Sequence, residues 1–260
     1  MIKMFKKIAK KIRENILKLT YSANSSHVGS SLSIVDILVV VYLKFINFEK
    51  KNFNIFILSK GHACLALYCI LYEKNKISKK TLESFGKNNS LLMSHASHKV
   101  PGVHFSTGSL GHGLPVAAGV ALANKIKKTN KRVIVLLSDG ELNEGSNWES
   151  LLFASHNNLN NLTIIIDYNK IQSLDFVKNT LKIEPLKKKL ISFGCSVNEV
   201  DGHNYLKIFN SLKKIPKAKP LVIIAHTIKG KGVKFMENKV LWHYKSPNLK
   251  ELNKALIGLR

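Results

Sequence analysis

The sequence has little cysteine and no long apolar run. Its 260 residues include three cysteines, Cys64, Cys69 and Cys195, an odd and sparse set that argues against a disulfide framework and for a reducing compartment. No uninterrupted apolar stretch approaches the roughly 18 residues that a membrane span needs. Lysines interrupt the N-terminal apolar residues too often for a signal peptide. We therefore expect a cytoplasmic protein with no membrane partner.

Acidic residues and arginine are also scarce. Against 41 basic residues there are 16 acidic ones, which gives a formal net charge of +25, yet the arginines are limited to Arg13, Arg132 and Arg260. Proteins that bind nucleic acid favour the bidentate fork of arginine. Here lysine accompanies abundant asparagine and isoleucine, a combination that A/T-rich codons explain. We expect a solvated lysine surface and no nucleic-acid partner, while phosphorylated substrates or an acidic partner protein fit the charge.

The apolar pattern predicts an α/β fold. Apolar residues spaced by three and four predict an amphipathic helix over residues 5–19, and a polar stretch, 22–31, interrupts the pattern. Further helices are predicted at 34–45, 63–72 and 147–156. Short β-branched runs bounded by polar residues predict parallel strands at 55–59, 133–137, 162–166, 195–200 and 221–225. This alternation predicts a doubly wound, mainly parallel sheet flanked by helices, in a single domain over 1–260.

Two strand ends predict a metal and phosphate site. Asp139 follows one apolar run and Asn169 follows the next, 30 residues on, so both should lie at the carboxyl edge of the sheet where ligands bind. Carboxylate and amide oxygens suit Mg²⁺ that keeps phosphate oxygens and water as its other ligands. Gly140 would let a phosphate approach the backbone before the next helix. An Asp-Gly pair alone is common; its pairing with the asparagine is more specific.

Five blocks in order carry a family resemblance. Residues 108–150 resemble the thiamine diphosphate signature region of transketolases, and DYNKIQ at 167–172 does too. Residues 25–38, 58–68 and 226–248 resemble other transketolase blocks. The chain looks most like the N-terminal subunit of split transketolases. The resemblance implies the thiamine diphosphate-binding fold, in its diphosphate-binding domain.

The resemblance implies roles for particular residues. The divalent metal, Mg²⁺ or else Ca²⁺ or Mn²⁺, would be held by Asp139, Asn169 and the carbonyl of Ile171. Contacts to thiamine diphosphate would come from His62, Gly108, Leu110, Gly140, Glu141, Asn169 and His243. Histidines lining the path to the reactive carbon, with pKa values expected near neutrality, would be His27, His62, His95 and His243. His98 competes with His95 for its place. Glu144 matches a family glutamate at the interface between subunits, where it couples two cofactor sites.

The resemblance also implies a partner. In the family, a glutamate that activates the cofactor lies in a pyrimidine-binding domain, which this sequence does not contain. We therefore expect a separate C-terminal subunit, in a heterotetramer that transfers a two-carbon ketol unit from a ketose or ketose phosphate to an aldehyde acceptor. Two alternatives stay open. One is the α subunit of a 2-oxoacid dehydrogenase, against which the KGHA block and residues 242–248 argue. The other is a non-catalytic cofactor-binding or regulatory subunit, suggested by the missing half and an altered loop at 173–179.

Overall fold

A five-stranded parallel sheet organises the protein. In the computed structural model, which describes residues 1–49 and 54–259, the strand order is β1-β2-β3-β5-β4 and every neighbouring pair is parallel. The strands are β1 (Ile55–Leu58), β2 (Val133–Ser138), β3 (Leu162–Tyr168), β4 (Ser196–Asp201) and β5 (Leu221–His226). The central strands β2 and β3 are buried along their whole length, whereas β4 at the edge is largely half-buried or exposed. The predicted strands are all present.

One face of the sheet carries the larger helical layer. Its helices are α1 (Ile2–Ser22), α2 (Val28–Ser33), α3 (Val35–Lys44), α4 (Cys64–Glu73), α5 (Lys79–Leu82), α10 (Tyr205–Lys213) and α11 (Leu249–Gly258). Helices α3 and α4 are buried along most of their length, as their nearly continuous apolar sequences predict. Alternate strand residues such as Ile134, Leu136 and Ile165 pack against this layer.

The opposite face carries a second helical layer. Its helices are α6 (Gly113–Ile126), α7 (Gly145–His156), α8 (Val177–Thr180) and α9 (Leu186–Ser192). The strand residues between those of the first layer, among them Val135, Ile164 and Ile166, face this side. Because the strand period is two, each strand supplies both cores in turn. The doubly wound architecture predicted from the sequence is thereby confirmed.

The polar stretch after α1 behaves differently from its prediction. It was expected only to interrupt helical structure, but α2 begins within it at Val28, and all six residues of that helix are buried. Ser33 is tolerated inside because its hydroxyl has two acceptors within hydrogen-bond distance, Ser30 O at 3.0 Å and Asp167 Oδ2 at 2.7 Å. The long segment between α5 and α6 lacks regular structure. No helix within 1–49 or 54–259 is both long and apolar enough to cross a membrane.

Candidate functional site

The carboxyl ends of four strands surround one cavity of about 220 Å³. Strands β1, β2, β3 and β5 all point toward this edge, because the sheet is parallel. Short 3₁₀ turns place several of the lining side chains, at Gly61–Ala63, Gly140–Asn143 and Val240–His243. The cavity is lined by His27, Ser30, Lys60, His62, His95, Gly108, Leu110, Ser138, Asp139, Gly140, Asn169, Ile171, Gln172, Ser173, Lys229 and His243.

The three predicted metal ligands all line this cavity. The side chain of Asp139 is buried and accepts hydrogen bonds from the backbone N–H groups of Gly140, at 2.8 Å, and Lys170. Burial, with the nearby Asp167 carboxylate, raises the pKa of Asp139 to about 7, so a cation here would relieve an unfavourable charge. The described residues contain no group of three or more His, Cys, Asp or Glu side chains that could hold a metal. The donors at this place are instead the Asp139 carboxylate, the Asn169 amide oxygen and the Ile171 carbonyl. These are the oxygen types that suit a hard cation whose remaining ligands are phosphate or water oxygens.

A buried carboxylate positions Asn169. Asp167 accepts hydrogen bonds from Lys60 Nζ, Ser33 Oγ, Thr227 Oγ1 and, at 3.1 Å, Asn169 Nδ2. Burial alone would raise the pKa of Asp167, but the charge of Lys60 and these donors hold it below its usual value. Sequence reasoning missed this residue, although a carboxylate at the end of an apolar strand is the signal that could have found it.

The structure brings the four predicted histidines together. The ring centre of His27 lies 5.2 Å from that of His62, 6.1 Å from that of His95 and 5.0 Å from that of His243. The backbone N–H of His27 also donates to the carbonyl of His243 at 2.8 Å, which ties two parts of the site together. His98 lies outside the cavity lining and is exposed, so of the two competing histidines it is His95 that faces the cavity.

The pKa values of these histidines differ from the sequence expectation. Burial and neighbouring charges lower the pKa of His27 to about 4, and burial and Lys229 lower that of His243 to about 3. Burial and Lys60 hold the pKa of His62 well below its usual value. The expectation of near-neutral values is therefore wrong for these three side chains. At neutral pH they are uncharged imidazoles beside ammonium groups.

Two buried lysines were missed by the sequence analysis. Lys60 and Lys229 are each 1% exposed and both line the cavity. Lys229 Nζ donates to Gln172 O at 2.9 Å, to Ile171 O at 3.3 Å and to His243 Nδ1 at 2.9 Å. Burial and the charge of Lys60 lower the pKa of Lys229 to about 8. Both lysines lie in blocks that resemble the family, KGHA and KGKG, and that position could have identified them. They were overlooked because the sequence contains so many other lysines.

Two predicted site residues lie outside the cavity lining. Glu141 is buried and accepts hydrogen bonds from Ser59 Oγ, from Gly111 N at 2.9 Å and from Ser138 N at 3.2 Å. It therefore joins the end of β1, the loop before α6 and the end of β2, and its contact with the cofactor stays a prediction. Glu144 is exposed at the start of α7, against Gly111, so the structure does not place it with the histidines. Its role at an interface stays a prediction.

Glycines allow the loop before α6 to pack closely. A Cβ on Gly61 would lie 2.4 Å from Thr107 O, and a Cβ on Gly113 would lie 2.3 Å from a serine hydroxyl at the end of β1. Such distances are shorter than any van der Waals contact, so only glycine fits at these positions. The close packing holds Gly108 and Leu110 at the cavity.

Comparison with known proteins places this geometry in a family. Residues 4–255 match the family model described as transketolase, thiamine diphosphate binding domain. The chain is 42% identical to one of the subunits of the apulose-4-phosphate transketolase of Actinobacillus succinogenes, over 98% of this chain and 95% of the relative. It is 34% identical to a 6-deoxy-6-sulfo-D-fructose transketolase subunit of a Clostridium species, over 89% and 87%.

A solved structure agrees with these relatives. The transketolase of Campylobacter jejuni superposes with a TM-score of 0.94 at 28% identity, and the match covers all of this chain but 43% of that one. This chain thus corresponds to under half of that transketolase, whereas it spans nearly the whole of the subunit relatives. The chain belongs to the transketolase family, within its thiamine diphosphate-binding domain.

Proposed function

We propose that this chain is the diphosphate-binding subunit of a two-chain transketolase. Together with a second subunit it transfers a two-carbon ketol unit from a ketose, free or phosphorylated, to an aldehyde acceptor. The observation that carries the proposal is one cavity that gathers Asp139 and Asn169, the ammonium groups of Lys60 and Lys229, and a cluster of four histidines. Metal ligands, anion-binding cations and proton-transfer groups are the parts that such a reaction needs in one place.

Neighbouring groups of the cavity would hold the cofactor and its metal. Asp139, Asn169 and the carbonyl of Ile171 hold Mg²⁺, with Ca²⁺ or Mn²⁺ as substitutes, because their oxygens suit hard cations. The diphosphate lies near Gly140 and the Lys229 ammonium, whose charge favours anions. When bound, thiamine diphosphate supplies the electron sink for breaking and forming the carbon–carbon bond.

The histidines handle the substrate's hydroxyl protons. His27, His62, His95 and His243 present imidazoles to one space, and three of them are uncharged at neutral pH. A neutral imidazole can accept a proton from a sugar hydroxyl and return it later in the cycle. The nearby lysine charges favour an oxyanion that develops during the reaction.

The relatives support a proposal for the substrates and for the second chain. Two relatives of about this length are named as subunits of transketolases, which supports a separately encoded partner with the pyrimidine-binding domain. We infer a heterotetramer in which the exposed Glu144 lies at the contact. The relatives' names include a phosphorylated and a sulfonated sugar, which supports anionic keto sugars as substrates. Three buried free cysteines support a reducing, cytoplasmic location.

Calorimetry tests the proposal. Thiamine diphosphate is titrated with and without Mg²⁺ into this chain alone and into its mixture with the candidate partner. We expect metal-dependent binding that strengthens with the partner and is lost in Asp139→Asn. Glu83→Gln is the matched control, because it removes one exposed carboxylate on the surface and should bind as wild type does.

Two outcomes would contradict the proposal. The absence of binding under all conditions would refute cofactor binding. Tight binding without ketol transfer, measured with the partner present on a panel of keto sugars and aldehydes, would favour a non-catalytic cofactor-binding protein.

A further inference from the structure

Lys229 lies on a short irregular segment that depends on contacts with other elements. Residues 227–231 follow β5 and form no helix or strand. The amide of Gly230 donates to Gly29 O at 3.0 Å, and the carbonyl of Lys229 accepts from Asn238 N at 2.9 Å. The direction of the Lys229 side chain is therefore set by whatever fixes this backbone.

His203, in the turn between β4 and α10, holds the residue before Lys229. The backbone N–H of Ile228 donates to His203 Nε2 at 2.9 Å, across 25 residues of sequence. On the other side of the ring, His203 Nδ1 lies 2.8 Å from Asp36 Oδ2. Because a backbone N–H can only donate, Nε2 is the acceptor and Nδ1 carries the proton that is donated to Asp36. Both contacts together require the neutral ring with its proton on Nδ1.

Asp36 is itself fixed by a buried network. Arg13 donates to both of its carboxylate oxygens, at 3.1 and 2.7 Å, and Tyr205 Oη donates at 2.7 Å. Arg13 Nε also donates to Lys231 O at 3.0 Å. The network thus reaches the segment on both sides of Lys229, through Ile228 N and through Lys231 O.

We propose that His203 is a positioning residue for the cofactor site. Held by Asp36 in a single tautomer, it fixes the amide of Ile228 and thereby aims the ammonium of Lys229 into the cavity. Carboxylate–histidine pairs that orient a binding group from behind are a recurring device. The inference rests on the proposed function, in which Lys229 faces the diphosphate.

Two substitutions at position 203 separate the two contacts. In His203→Asn the amide nitrogen can still donate to Asp36, but no acceptor remains for Ile228. In His203→Gln the side-chain oxygen reaches the Nε2 position and can still accept from Ile228. We expect His203→Asn to weaken thiamine diphosphate binding at saturating Mg²⁺ about tenfold and to speed hydrogen exchange at the Ile228 amide. His203→Gln should keep both within about threefold of wild type.

Tyr205→Phe is the matched structural control. It removes a hydrogen bond to the same carboxylate, but the hydroxyl that is lost bonds to Asp36 and not to residues 227–231. Its melting temperature should fall, while its cofactor affinity and the exchange rate at Ile228 should change much less than in His203→Asn, because Arg13 still holds Asp36 through both carboxylate oxygens.

The outcomes distinguish the role of His203 from the proposed function. If wild type does not bind the cofactor, the proposed function and the positioning role of His203 are both overturned. If wild type binds and His203→Asn binds equally well, the positioning role alone is overturned and His203 is merely structural. Nitrogen NMR of the histidine rings in the wild-type protein gives a reading that needs no variant: a proton on Nε2 at neutral pH would also overturn it.

Discussion

At the scale of single residues, the buried ammonium of Lys229 predicts that the cavity prefers anions. Lys229 is buried, and its ammonium donates to carbonyl oxygens and an imidazole; among the residues that the structure describes, no carboxylate lies within hydrogen-bond distance to neutralise it. Such a group gains most from a phosphate, because a hydrogen bond to a charged partner contributes about 1.5–3 kcal/mol. Lys231, in the same KGKG motif, provides a control, because replacing either lysine by methionine removes one positive charge.

Lys229→Met should therefore weaken thiamine diphosphate binding by about 10- to 100-fold at saturating Mg²⁺. Lys231→Met removes the same charge two residues away, from a side chain that is 33% exposed and faces Glu237, and should change the affinity less than about threefold. Calorimetry on the three proteins makes the comparison. Equal losses in both variants would show that net charge, and not the position of Lys229, governs binding.

Asp36 gives a residue-scale prediction for stability and pH. Burial would raise its pKa, but the hydrogen bond from His203 and the charge of Arg13 hold the pKa well below its usual value. Asp36→Asn leaves Arg13 buried without its partner and should lower the free energy of unfolding at pH 7 by about 3–5 kcal/mol. Because the folded pKa is depressed, this contribution is present above an unfolded pKa near 3.8 and is lost as the pH falls below it.

Urea unfolding of wild type and Asp36→Asn at several pH values measures this contribution. The difference between the two proteins should be largest near neutrality and should shrink as the pH falls from about 4 toward 3. Glu83→Gln, at an exposed pair, should differ from wild type by less than about 1 kcal/mol at pH 7. A difference for Asp36→Asn that stays constant with pH would contradict the assignment.

At the scale of elements, the sequence predicts what depends on local pattern. The β-branched runs identified all five strands, and the strand ends correctly brought Asp139 and Asn169 to one cavity. Burial of α2 was missed because Ser33 is satisfied by a distant partner, Asp167, which no local pattern contains. The bonding of Glu141 was missed for the same reason, because two of its three hydrogen-bond donors, Ser59 and Gly111, come from distant segments.

The close packing between loops predicts opposite effects for two glycine substitutions. Gly61→Ala places a methyl group 2.4 Å from a backbone oxygen that cannot easily move, and should cost about 1–3 kcal/mol of unfolding free energy. Gly119→Ala, within α6, meets nothing within 4 Å and should stabilise by up to about 1 kcal/mol, because alanine is the better helix former. Urea unfolding of both variants measures whether the free energy of unfolding falls in Gly61→Ala and rises in Gly119→Ala. A neutral Gly61→Ala would contradict the close packing.

At the scale of the whole molecule, the cavity is lined by residues from the loops after β1, β2, β3 and β5. The larger C. jejuni transketolase extends well beyond the part that this chain matches. The proposal of a partner comes from the sequence only through its family resemblance, because composition and periodicity carry no information on a second chain.

Cofactor binding and association of the two subunits should strengthen each other. If thiamine diphosphate lies between them, reciprocity requires that the factor by which the partner raises cofactor affinity equals the factor by which the cofactor raises partner affinity. We expect both factors to lie between about 5 and 150. Sedimentation measures the association constant of the two subunits with and without thiamine diphosphate and Mg²⁺. Calorimetry measures the affinity for thiamine diphosphate with and without the partner. In Asp139→Asn the cofactor should no longer tighten association, while association without cofactor should match wild type; an unchanged association constant on adding cofactor to wild type would place the cofactor away from the interface.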